Sequence, residues 1–129
     1  MSLHRVENSS ENLLMSLFNH GVSNVQPRNI LKKFIKVYKT KIIVSSNSYS
    51  KTYNNFKNIL PICVGKASVD MGKTALSLLK NFEHKISEGV IVVNKENFKK
   101  VKGFKCFSSG HPVPDKNGLL AALHIEKKL

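Results

Sequence analysis

Ile59-Leu60-Pro61-Ile62-Cys63-Val64-Gly65-Lys66-Ala67-Ser68 is an apolar run that ends on a glycine and a lysine. From Ser68 to Phe82 the apolar residues change to a helical period, with Val69, Ala75, Leu76, Leu79 and Phe82 on one side. Gly89 then precedes Val90-Ile91-Val92-Val93, a second short apolar run. Near-continuous apolar runs of this length mark strands buried on both faces, with Ile59–Val64 as the first of them. Strand, helix and strand across residues 59 to 93 make a βαβ unit, right-handed by default. The fold class expected is therefore α/β, a parallel-rich sheet with flanking helices.

The flanking sequence fits this frame. Upstream, Asn8 with Glu11 three residues later resembles a capping box, ahead of a stripe of Leu13, Leu14, Leu17 and Phe18. Gly21 supplies a stop for that first helix. Pro27 opens a second helix that would carry Ile30, Leu31, Phe34, Val37 and Tyr38 inward. Ile42 to Ser46 reads as a strand, followed by a polar Asn/Ser turn or hairpin. Downstream, Val101 to Phe107 is a third candidate strand, weakened by Gly103. Gly118 to Leu129 is helical, with Leu119, Leu120, Leu123 and His124 as one face. The last helix shows no stop signal, so residues 1–129 are expected to be the truncated N-terminal piece of a larger protein.

Composition narrows the function. At 129 residues, 41% apolar and 22% charged, the chain has the make-up of one globular domain. The formal net charge is +13, from 21 basic and 8 acidic residues. A polyanion partner such as RNA would account for that charge. Yet all the basic residues except Arg5 and Arg28 are lysine, and asparagine and isoleucine are plentiful. That pattern reads as an AT-rich coding sequence and a solvated surface, and it argues against a nucleic-acid partner. The two cysteines, Cys63 and Cys106, lie in apolar stretches and are expected to be reduced core thiols in a cytoplasmic protein. Neither paired Cys-x-x-Cys nor Cys/His metal spacing occurs, and no run approaches the length of a membrane span.

Two segments carry chemistry. Val64-Gly65-Lys66-Ala67-Ser68 puts a lysine where a strand meets a helix N-terminus, a setting suited to a phosphate or carboxylate. Gly110-His111-Pro112-Val113-Pro114-Asp115 is a proline-stiffened loop after another apolar run, with Asp115 placed to cap the last helix. Both loops would meet at the sheet edge where α/β proteins bind ligands. Gly72-Lys73-Thr74 matches the second half of a P-loop, but Ala67 stands where the first glycine is required. Gly72 is better read as a close approach of helix to sheet. A Gly-x-Gly-x-x-Gly dinucleotide fingerprint is absent, as is a Gly-x-Ser-x-Gly nucleophile elbow.

The same segments carry a family resemblance. Val64-Gly65-Lys66-Ala67-Ser68 with Met71, Glu88-Gly89-Val90-Ile91-Val92-Val93 and Ser109-Gly110-His111-Pro112-Val113-Pro114-Asp115 resemble, in order and spacing, motifs of the type-2 glycerate kinases. Some members of that family are labelled hydroxypyruvate reductases. The resemblance implies a Rossmann-like N-terminal α/β domain facing a second domain, absent from this chain, across an active-site cleft. It implies transfer of the γ-phosphoryl group of ATP to D-glycerate, giving 2-phosphoglycerate, with magnesium. Lys66 would act at the active site. Gly65, Ala67, Ser68, Gly110 and His111 would bind substrate or phosphate, and no metal ligand is assigned within the chain. Lys73 and Gly72 depart from the small or apolar residues usual in that helix. The alternatives are a hydroxypyruvate reductase and a non-enzymatic polyanion-binding module. Oligomeric state is not legible.

Overall fold

The computed structural model describes residues 3–129, with side chains described from Ser9 onward. Two helices, α1 (Leu3–Val25) and α2 (Pro27–Phe34), lead into an antiparallel sheet of β1 (Ile35–Val37), β2 (Ile42–Ser46) and β3 (Tyr49–Tyr53). A second, parallel sheet follows in the order β4-β5-β6, from Ile62–Val64, Gly89–Asn94 and Phe104–Ser109. Helix α3 (Ser68–Leu78) connects β4 to β5, and α4 (Lys116–Glu126) follows β6. The α/β class expected from the βαβ unit is what forms, with an antiparallel sheet added beside it.

β5 is the axis of the parallel sheet. Val90, Ile91, Val92 and Val93 are all buried, because successive side chains point to opposite faces and both faces are covered. On one face Ile91 and Val93 pack with Cys63, Phe104 and Val69 of α3. On the other, Val90 and Val92 pack with Ala121 of α4, with Phe107 and Ile125 alongside. α3 and α4 therefore lie on opposite faces. Gly72 sits where α3 crosses β5: a Cβ there would lie 2.9 Å from Ile91 Cδ1 and 3.1 Å from Phe104 Cζ. The close-approach reading of Gly72 is right. A third apolar cluster, Ile42, Leu79 and Phe82, ties the antiparallel sheet to the 3-10 turn Lys80–Lys85. There Phe56 meets Phe82 edge-on, ring centres 5.0 Å apart.

Several boundaries differ from the sequence reading. α1 begins before Asn8 and runs past Gly21, so the Asn8–Glu11 box lies within the helix, although the Asn8 side chain is outside the described residues. A single glycine costs a long helix only about 1 kcal/mol. The helix ends where Gln26, preceding Pro27, is forced extended (φ −64°, ψ 138°). α2 stops at Phe34, and Val37 and Tyr38 are not helical. Ile35 and Val37 instead alternate inward on β1, paired with Val44 and Ile42, as β-branched residues favour. The polar segment after β2 is a hairpin whose return strand, β3, is exposed throughout.

Ile59–Val64 is not one doubly buried strand. Ile59 makes a single bridge to Ile86, and β4 proper is Ile62–Val64, an edge strand with only Cys63 buried. Val64 is 64% exposed because α4 packs over β5 and β6 and leaves β4 uncovered on that face. Gly103, at φ +85°, sets the start of β6 at Phe104. On α4 the predicted apolar face is largely wrong. Leu119, Leu120 and Leu123 are exposed, while Ala121 and Ile125 pack inward and His124 lies against Phe107, 5.3 Å between ring centres. The small Ala121 side chain lets the helix approach the valines of β5.

Cys63 and Cys106 are free thiols. Both are in register with Ile91, one on each side of it, so two strand spacings separate them. That is about 10 Å, beyond the Cα–Cα reach of a disulfide. Burial pushes the Cys63 thiol pKa up. Among the described residues, no helix is long and apolar enough to cross a membrane.

Candidate functional site

The C-terminal ends of β4, β5 and β6 open on one cleft of about 190 Å³. Its lining includes Gly65 and Lys66 after β4, Val92 to Asn94 at the end of β5, and Ser109 at the end of β6 with Gly110 and His111 following it. The two loops singled out in the sequence therefore meet, 45 residues apart in the chain but side by side in space.

The first loop is held by β5. Gly65 adopts φ +109°, a backbone conformation that disfavours any side chain, and donates its N–H to Val92 O at 2.9 Å. Ser68, fully buried, donates its hydroxyl to the same carbonyl at 3.1 Å and its N–H to Gly65 O at 3.0 Å. Val92 O thus anchors both ends of the turn, leaving Lys66 exposed at its crest. α3 starts at Ser68 with Ala67 as its N-cap and no side chain bonded to its first turn. The first-turn N–H groups of such a helix suit an anionic group.

The second loop is closed by Asp115. Its Oδ1 accepts the Gly118 N–H at 2.9 Å, capping α4 as the sequence predicted. It also accepts from Gly110 N–H, so one carboxylate secures the helix and the loop entrance together. These two N–H groups, Gly118 first, hold its pKa below the usual carboxylate range. Gly110 has no room for a side chain: a Cβ would lie 2.5 Å from Val113 O and 3.2 Å from Asp115 Cγ. The His111–Pro112 peptide is cis.

Of the candidate residues, Gly65, Lys66, Gly110 and His111 line the cleft. Ala67 and Ser68 do not. Ala67 is exposed at the helix start, and the Ser68 hydroxyl is committed to Val92 O beneath the turn. Sequence reasoning passed over the third loop, Asn94-Lys95-Glu96-Asn97. Asn94 Nδ2 donates to Glu96 Oε2, and Asn97 Nδ2 donates to Asn94 Oδ1 at 2.8 Å. The Glu96 carboxyl is held below its ordinary range by its own backbone N–H, then by Asn94, with His111 and Lys66 adding positive potential. These residues directly follow the most buried strand, and the strand-end rule applied to β4 and β6 would have found them.

The cleft can bind a small anion: it has the Lys66 side chain in its lining and a floor of backbone from the strand ends. It is smaller than the roughly 300–1,000 Å³ of a typical small-molecule pocket. It suits a single phosphate or a three-carbon acid, not a whole nucleotide. Among the described residues, no group of three or more His, Cys, Asp or Glu side chains is placed to hold a metal ion.

Residues 13–129 match the family described as Domain of unknown function (DUF4147). A glycerate 2-kinase of Pyrococcus horikoshii is 26% identical over 108 residues, covering 84% of this chain and 22% of that protein. The crystal structure of the PH0495 protein from Pyrococcus horikoshii OT3 is similar with a TM-score of 0.73 at 24% identity, over 92% of this chain and 26% of that one. At that identity the structural likeness bears on the fold alone. The chain spans about a quarter of the length of these relatives.

Proposed function

The chain belongs to the DUF4147 family, the N-terminal domain of the type-2 glycerate kinases, and we propose that it is the N-terminal part of an ATP-dependent glycerate 2-kinase. The proposed reaction transfers the γ-phosphoryl group of ATP to D-glycerate, giving 2-phosphoglycerate in the cytoplasm. One observation carries the reading: Lys66, at the crossing from β4 to α3, lines the same cleft as Gly110 and His111. Phosphoryl transfer needs fixed positive charge against the phosphoryl oxygens, and a lysine beside helix N–H groups can supply it. Gly65 shapes the turn, Ser68 and Ala67 hold the helix start, and His111 faces the substrate. Magnesium and the bulk of ATP would be held by residues outside this chain, so the 129 residues alone are expected to give no turnover.

The test is Lys66→Ala in the complete protein so proposed. Formation of 2-phosphoglycerate should fall by about 10²-fold or more, the effect typical of removing one transition-state donor. Unchanged turnover would refute the role of Lys66. A hydroxypyruvate reductase would need a dinucleotide site, and Gly65 stands alone where three glycines are expected.

A further inference from the structure

We infer that Glu96 accepts a hydrogen bond from a hydroxyl of the ligand whose anionic end lies at Lys66, so that the cleft selects small hydroxy acids over acids that lack the hydroxyl. This rests on the anion-site reading of the Lys66 cleft. Three observations support it.

The first is position. A second cleft, of about 350 Å³, adjoins the first and shares with it the wall formed by Ser109, Gly110 and His111. Lys66 borders the first cleft and Glu96 the second, with His111 common to both. The two clefts thus meet at His111, with the cation in the lining of one and the carboxylate in the lining of the other.

The second is fixation. Asn97 orients the Asn94 amide through its Oδ1, and Asn94 then donates to Glu96 Oε2. A carboxylate has about four acceptor sites, and these contacts with its own backbone N–H leave sites for a ligand donor. An acceptor already fixed loses little freedom when the ligand arrives.

The third is charge. Glu96 is held ionised by its hydrogen bonds and by the positive potential of His111 and Lys66, so it can only accept. A carboxylate beside an anion site repels a bare anion. A ligand that brings a hydroxyl donor offsets that penalty, whereas an acid without one leaves the exposed carboxylate to water and the repulsion in place.

The experiment is titration of the isotope-labelled 129-residue chain, followed by amide chemical shifts, with D-glycerate, propionate and inorganic phosphate. Propionate is a three-carbon acid without hydroxyls. The wild type should bind glycerate about 10-fold more tightly than propionate, the scale of one hydrogen bond to a charged group at a partly open site. In Glu96→Gln and Glu96→Ala the preference should fall to about 2-fold or less, while phosphate binds equally or more tightly because a repulsive charge is gone. If glycerate binds at the Lys66 loop and both variants keep the full preference, the role of Glu96 is wrong and the anion site stands. If neither glycerate nor phosphate moves the Gly65–Ser68 amides of the wild type, the anion site itself fails and takes this inference with it.

Discussion

Ser68→Ala separates a residue that shapes the site from one that touches the ligand. Ser68 is fully buried, and its Oγ donates to Val92 O at 3.1 Å. The substitution removes that hydrogen bond but leaves no orphan, because Val92 O still accepts the Gly65 N–H at 2.9 Å. The removed oxygen is small, and its departure opens no cavity large enough to add a major term. The cost is therefore the net value of one hydrogen bond, about 1 kcal/mol, not the larger penalty for a stranded buried group. For a chain of this length that corresponds to a fall in melting temperature of about 3–5 °C. Urea unfolding of wild type and variant should show a lower midpoint with unchanged slope. Phosphate affinity should change by less than about 3-fold, since the backbone of the turn keeps its Gly65 anchor. Unaltered stability together with lost phosphate binding would refute the reasoning and make Ser68 a ligand group.

Gly72→Ala places a methyl 2.9 Å from Ile91 Cδ1 and 3.1 Å from Phe104 Cζ, so the buried Ile91 side chain must shift to admit it. Overpacking of about 1–3 kcal/mol set against the helix-propensity gain of about 1 kcal/mol leaves a net destabilisation of up to about 2 kcal/mol, read by thermal denaturation. Asp115 has a folded pKa below its unfolded value of about 3.9, so its contribution is complete above that value and is lost as pH falls through the folded one. The stability gap between wild type and Asp115→Ala, read by urea unfolding, should accordingly be wide near neutral pH and close in acid. Mild oxidation should leave Cys63 and Cys106 unlinked, with intact-mass measurement showing no intramolecular loss of two hydrogens, because Ile91 of β5 stands between them.

The parts of the fold legible in the sequence were those with strong local signals. Ile42–Ser46 and the run after Gly89 formed strands as read, and Asp115 capped α4, because each signal is confined to a few neighbouring residues. What failed depended on which neighbour covers which face. The exposure of Val64 and of Leu119, Leu120 and Leu123 follows from α4 lying over β5 and β6, which no periodicity within those segments records. Ile35–Val37 continued the helical pattern of α2 yet joined β1, since pairing with β2 outweighed a weak helical preference. The meeting of Lys66 with Gly110 and His111 was readable from the strand-end rule. The burial of Ser68 was not, because its partner, a backbone carbonyl on β5, leaves no trace in residue types.

The account turns on the Gly65–Ser68 and Gly110–His111 segments forming one anion site around Lys66. Amide shift mapping with inorganic phosphate, on wild type and Lys66→Ala, tests it most directly. The prediction is that both segments shift together in the wild type and that the shifts disappear in the variant. Shifts scattered over distant lysines such as Lys32 and Lys33 of α2, or undiminished in Lys66→Ala, would contradict it.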